Sequence, residues 1–123
     1  MEQIKLHVCA PYKEERLMIT LRELCEHTGV TRRTIQCYEV KGLMKAADKN
    51  KMGHLLYHDD AIEEVNLIRF YQSIGFTLKE IKEFETMDDG KFKELMHSKI
   101  ATLEAEKILI GDKIRKINSI MED

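Results

Sequence analysis

From position 96 to position 121 the chain steps alternately by four and three residues through Met96, Ile100, Leu103, Lys107, Ile110, Ile114, Ile117 and Met121, and all but Lys107 are apolar. This spacing returns to one stripe of an α-helix every three and a half residues, whereas a strand alternates every two. One long terminal helix is therefore predicted. With the sequence ending at Asp123, no later segment covers the stripe. A partner helix from a second copy is the simplest cover, and packing back on the chain's own domain is the alternative. Lys107 interrupts the seam at a cost in stability while helping to set its register, and Gly111 weakens the helix by about 1 kcal/mol relative to Ala.

Short helices with clear punctuation precede this seam. Thr20 and Glu23 have capping-box spacing, Leu21, Leu24 and Cys25 share a face, and Thr28-Gly29 closes the first helix. Thr31 suits the cap of a second helix that turns Ile35 and Tyr38 inward, points Arg32, Arg33 and Gln36 elsewhere, and ends at Gly42. The tight Gly29-Val30 link between them predicts a helix-turn-helix with its second helix presented outward. The polar stretch from Lys45 to Tyr57 has turn residues before Gly53 and alternation after it, which fits a small β-hairpin, or wing. Asp60 and Glu63 repeat the capping-box spacing before a third helix whose apolar arc runs through Leu67, Phe70, Tyr71 and Ile74 up to Gly75. Thr77 and Glu80 cap a fourth, with Leu78, Ile81 and Phe84 inward, and Asp88-Asp89-Gly90 reads as a hinge. Three segments result: an extension at 1–17, where Ile4-Lys5-Leu6-His7-Val8 alternates like a short strand; a domain at 18–88; and the long helix at 89–123.

Charge narrows the function. The formal net charge is −2. Residues 27–57 nevertheless hold six Lys or Arg against two acids, while residues 59–123 hold ten basic and fifteen acidic side chains. A local phosphate-binding surface around Arg32 and Arg33 fits this asymmetry, with chance clustering on a solvated face as the other reading. Charged residues make up 34% of the chain, there is a single proline, and neither a secretory leader nor a membrane-spanning apolar run is present, so a helix-rich cytoplasmic protein is expected. Cys9, Cys25 and Cys37 lack the spacing of a metal clamp or a disulfide framework. No nucleophile–base pair, P-loop or metal triad points to an enzyme, and His7, His27, His54, His58 and His97 are scattered. His97 with Glu94 has the spacing for a divalent ion, yet a single His on a charged helix reads as solvated; no metal or cofactor is expected.

Taken together, TGVTRRTI, YEVKGL, YHDD and IRFYQSIGFTLKEI resemble the MerR family of transcriptional regulators, over about residues 18–120. The resemblance implies a mainly α fold: a winged helix-turn-helix domain followed by an antiparallel coiled coil that joins two copies. It also implies a homodimer on a palindromic promoter, distorting double-stranded DNA so that RNA polymerase can use it. Thr31, Arg32, Arg33 and Thr34 match the start of the family's recognition helix, and Gln36, Tyr38 and Lys41 continue it. Lys49, Lys51, His54 and Tyr57 fall in the wing, where backbone and minor-groove contacts are expected. An exposed helix N-terminus and arginine forks suit phosphate or guanine.

Three arginines of the family pattern are missing. The Arg-Tyr-Tyr-Glu run is Gln36-Cys37-Tyr38-Glu39, the Pro-x-Arg after the helix is Ala46-Ala47-Asp48, and the wing Gly-Tyr-Arg is Gly53-His54-Leu55. Each lost phosphate contact would flatten the salt dependence of binding by about one unit. Two function classes follow: a dimeric DNA-binding regulator without a recognisable effector domain, or the same fold reused as a protein-interaction module. Cys37, among Arg32, Arg33 and Lys41, suits either a thiol switch or a small space-filling residue.

Overall fold

A computed structural model describes residues 17–122, so the strand suggested at Ile4–Val8 and the rest of the extension before Leu17 lie outside the described residues. The chain divides into two compact units, one ending at Thr86 and the other beginning at Met87.

In the first unit, strand β1 (Met18–Thr20) leads directly into helix α1 (Leu21–Thr28), and after a short turn comes helix α2 (Arg32–Val40). The Thr20 capping box forms in full: its hydroxyl accepts from the Glu23 amide at 3.1 Å, and the Glu23 carboxylate accepts from the Thr20 amide at 2.9 Å. Gly29, at φ 78°, ends α1 in the left-handed region. Thr31 caps α2 by accepting from the Thr34 amide at 3.1 Å. At the far end, the Gly42 amide donates to the Glu39 carbonyl and the Leu43 amide to the Tyr38 carbonyl, which is the paired closure of a Schellman turn. Leu43 and Met44 are buried immediately beyond it.

The wing consists of strands β2 (Asp48–Lys49) and β3 (Leu55–His58), joined by a turn built on Asn50. The Asn50 side-chain oxygen accepts from the amides of Met52 and His54, at 2.9 and 3.0 Å. The sheet has an additional member: β1 pairs antiparallel with β3, placing Ile19 opposite Tyr57, and the strand order is β1-β3-β2.

Helix α3 (Ala61–Ser73) buries Ala61, Val65, Ile68 and Tyr71. Phe70, assigned from sequence to the apolar arc, is 46% exposed, because the buried face is centred on Ile68. The expected Asp60 cap is also absent. Asp60 already has helical backbone angles, φ −69° and ψ −8°, so its side chain does not reach the first-turn amides as an extended cap residue would. Gly75 closes α3 with a second Schellman turn, and Phe76 folds back on Tyr71 with ring centroids 6.3 Å apart. Helix α4 (Leu78–Glu83) carries a complete Thr77–Glu80 capping box and runs into a short 3-10 turn, Phe84–Thr86. Phe84 meets Tyr71 at 4.9 Å and Phe76 at 5.2 Å, edge to face, forming the aromatic centre of the core.

The second unit is helix α5 (Asp89–Met121), 33 residues long and so about 50 Å from end to end. The hinge read at Asp88-Asp89-Gly90 is instead the start of this helix: Asp88 caps it by accepting from the Lys91 amide at 2.8 Å, and Asp89 and Gly90 are helical. None of the residues of α5 is buried.

Candidate nucleic-acid interface

Helix α2 presents two kinds of side chain. Ile35 and Tyr38 are buried against the domain, whereas Arg32, Arg33, Gln36, Cys37 and Lys41 are exposed. Two grooves flank it. One, of about 830 Å³, is shared by Arg32 and Gln36 of α2, His54 and Gly53 of the wing, and Arg22, Glu23 and Glu26 of α1, where Arg22 pairs with Glu26 at 3.3 Å. The other, of about 770 Å³, joins Arg33, Thr34 and Cys37 to Arg69, Gln72 and Ser73 of α3. Thus the two adjacent arginines at the start of α2 enter different grooves. At that same helix start, the first amides lack intrahelical acceptors and the backbone dipole is positive, so anions are favoured there.

Among the other residues singled out in the sequence, Lys49, Lys51 and His54 are exposed on the wing. Thr31 and Thr34 lie at the helix start with their hydroxyls 3.0 Å from each other, engaged in the cap. Tyr38 faces inward, as its spacing from Ile35 implies, so neither it nor Tyr57 takes the DNA-facing place that the family resemblance suggested. They are 2% and 1% exposed, and so belong to the core and not to the exposed face. The Tyr38 hydroxyl donates to the Gln72 side-chain oxygen at 3.0 Å, and the Tyr57 hydroxyl donates to the Glu39 carboxylate. Burial raises the pKa of both phenols, and for Tyr57 the Glu39 carboxylate adds to the rise.

Arg22 and Arg69 line the grooves without having been anticipated, since both sit on helices that sequence marks only by their apolar faces. Arg69 Nη1 donates to the Thr28 carbonyl at 2.7 Å. Cys25 is partly buried, and burial raises its thiol pKa, with the neighbouring Arg32 opposing the shift. Cys37 is exposed in the second groove. Among the described residues, no cluster of three or more His, Cys, Asp or Glu could hold a metal ion, and no helix is long and apolar enough to cross a membrane.

A helix-turn-helix, a two-stranded wing extended by β1 into a three-stranded sheet, and an exposed cationic helix start define a winged helix-turn-helix protein. The chain belongs to the MerR HTH family of regulatory proteins, whose model matches residues 19–87. It is 31% identical over 116 residues to the HTH-type transcriptional regulator YfmP of Bacillus subtilis, with 81% of this chain and 83% of YfmP covered. It is 41% identical over 61 residues to the nodulation protein NolA of Bradyrhizobium elkanii, covering 50% of this chain but only 28% of NolA. The matched part of the chain therefore spans little more than a quarter of that relative's length. Among solved structures it resembles MtaN, the N-terminus of the Bacillus subtilis multidrug transporter activator, with a TM-score of 0.71, 27% identity, and coverage of 85% of this chain and 99% of that one.

Proposed function

We propose that the protein is a DNA-binding transcription regulator, acting in the cytoplasm as a homodimer on a palindromic promoter site and distorting that site for RNA polymerase. The observation that carries this reading is the first groove, where Arg32 and Gln36 of α2 come together with His54 of the wing. A helix and a wing that converge on one groove, with the exposed Arg32 and Gln36 facing it, suit a duplex, with the helix start in the major groove and the wing beside the backbone. Arg32 and Arg33 are the base or phosphate contacts, Thr31 and Thr34 fix the helix start, and Gln36, Lys41, Lys49, Lys51 and His54 supply further polar or cationic contacts.

The dimer reading rests on α5. Ile110 and Ile114 are 55% and 53% exposed at the middle of the seam, and Ile100, Leu103, Ile117 and Met121 are exposed along it. Covering seven apolar seam residues on each of two copies, at about 1 kcal/mol for each half-exposed side chain, gives a total near the upper part of the roughly 4–15 kcal/mol that association costs. The charged flanks of the seam, Lys99, Glu104, Glu106 and Lys113 among them, then bear on orientation, and antiparallel pairing follows the family.

The reading is tested by titrating a fluorescent duplex of random sequence with the full chain over a salt series. Binding should weaken steeply with salt, and changing Arg32 and Arg33 together to Ala, which removes both from each copy of the dimer, should flatten the slope by up to about four units. A slope unchanged by that double substitution would remove Arg32 and Arg33 from the phosphate contacts. Absence of binding would favour the protein-interaction reading, which the missing family arginines at Gln36, Asp48 and Leu55 support.

A further inference from the structure

We propose that Arg69, Gln72 and Lys82 are positioning residues that hold α2 in its DNA-reading pose and thereby set how sharply the protein discriminates its operator, without touching DNA themselves. This rests on the proposal that α2 reads DNA. The helix is nine residues long and buries only Ile35 and Tyr38, a small apolar anchor for an element that must fit base edges closely. Three side chains from α3 and α4 supplement that anchor with polar tethers. Ahead of the helix, Arg69 Nη1 donates to the carbonyl of Thr28, the last residue of α1 before the turn that leads into α2, at 2.7 Å. At its middle, the Tyr38 hydroxyl donates to Gln72 at 3.0 Å. At its end, Lys82 Nζ donates at 2.8 Å to the carbonyl of Gly42, the residue that closes the helix.

The two outer tethers are charge-assisted, the stronger class of hydrogen bond, and each stabilises a turn carbonyl that no helix partner uses. Lys82 is itself steadied by Glu85 at 3.0 Å. It also lies over Gly42, where an added Cβ would meet its Cε at 3.5 Å. The turn before α2, its middle at Tyr38 and the turn after it are thus each bonded to one helix pair, which fixes the rotation and tilt of α2 between them. Base readout depends on bidentate alignment, whereas a phosphate contact tolerates displacement of the cation. Loss of the tethers should therefore reduce discrimination more than general affinity.

The test compares an enriched operator duplex with a scrambled duplex, using the full chain carrying Arg69→Met, Lys82→Met, both together, or Gln72→Leu, with Arg69→Lys and Lys82→Arg as conservative partners. Circular dichroism at the assay temperature keeps unfolded variants out of the comparison. The double Met variant should lose about tenfold of the operator-to-scrambled affinity ratio, with the salt slope at the wild-type value, and the double conservative variant should regain most of the ratio. A slope flattened by about one unit for each cation removed would mean direct phosphate contact and would overturn the positioning role. An unchanged ratio in the folded double variant would overturn it too. If the unmodified chain fails to discriminate or bind any duplex, the underlying DNA reading fails, an outcome distinct from both.

Discussion

The Tyr57 hydroxyl of the central wing strand donates a hydrogen bond to the carboxylate of Glu39, on the last turn of α2. Residues 18 positions apart in sequence thus join the wing to the helix beside it. Tyr57 is almost fully buried and Glu39 partly so, and a charge-assisted bond in such a part-buried setting helps hold the two elements at a fixed separation.

Removing that hydroxyl should loosen the domain. In Tyr57→Phe the Glu39 carboxylate loses its donor, and unfolding in urea should show a stability loss of about 1–3 kcal/mol. Leu55→Ala, on the half-buried neighbouring strand position, provides a packing reference without this bond. A Tyr57→Phe midpoint equal to that of the unmodified chain would mean that the bond contributes nothing net.

Alkaline pH should weaken the fold by a related route. Burial pushes the Tyr71 phenol up to about 12 and raises Tyr38, while Tyr57 is raised by burial first and then by Glu39. The protonated phenols are held more tightly in the folded state than in the unfolded chain, where tyrosine titrates near 10. Their contribution is therefore complete below about pH 10 and is lost as pH climbs through the folded values. Urea midpoints measured between pH 8 and 12 should fall above about pH 10, and less steeply in Tyr57→Phe; midpoints that hold level to the top of the range would contradict this.

Two glycines should respond in opposite directions to alanine. Gly29 has open space around a built Cβ but sits at φ 78°, so Gly29→Ala costs about 1–2 kcal/mol from backbone strain alone. Gly111 lies within α5, and its Cβ would meet only Arg115 Nη1 at 3.7 Å, so Gly111→Ala should stabilise the helix by about 0.5–1 kcal/mol. Thermal melts of the two variants should move apart, and a rise for Gly29→Ala would exclude the left-handed turn.

The seam on α5 makes its own prediction. Ile114→Asp places a charge in the middle of the apolar stripe of both copies, and sedimentation equilibrium should show the dimer shifting to monomer. Lys107→Leu should act the other way, tightening association by about tenfold or more. Sedimentation that is insensitive to both would return the stripe to some other cover.

What could be read from sequence was mostly local. The Thr20–Glu23 and Thr77–Glu80 boxes, the Gly29 and Gly42 closures and the Asn50 turn are each settled within five residues, and all formed. Asp60–Glu63 has the same spacing and failed, because spacing does not report that Asp60 already lies in helical geometry. Tyr38 was legible as an inward residue from its spacing to Ile35, whereas Tyr57 was not. Alternation shows that Tyr57 differs in facing from its neighbours, but only the packed sheet shows that its face meets Glu39. Pairing of β1 with β3, and the reach of Arg69 and Lys82 to carbonyls some forty positions away, depend on tertiary contacts that no periodicity encodes.

The most direct test of the central claim is selection from a pool of random duplexes by the full chain across a salt series, followed by sequencing of what is retained. The account predicts an inverted repeat whose enrichment disappears when Arg32 and Arg33 are both changed to Ala. A folded dimer that retains no duplex even at low salt would contradict it.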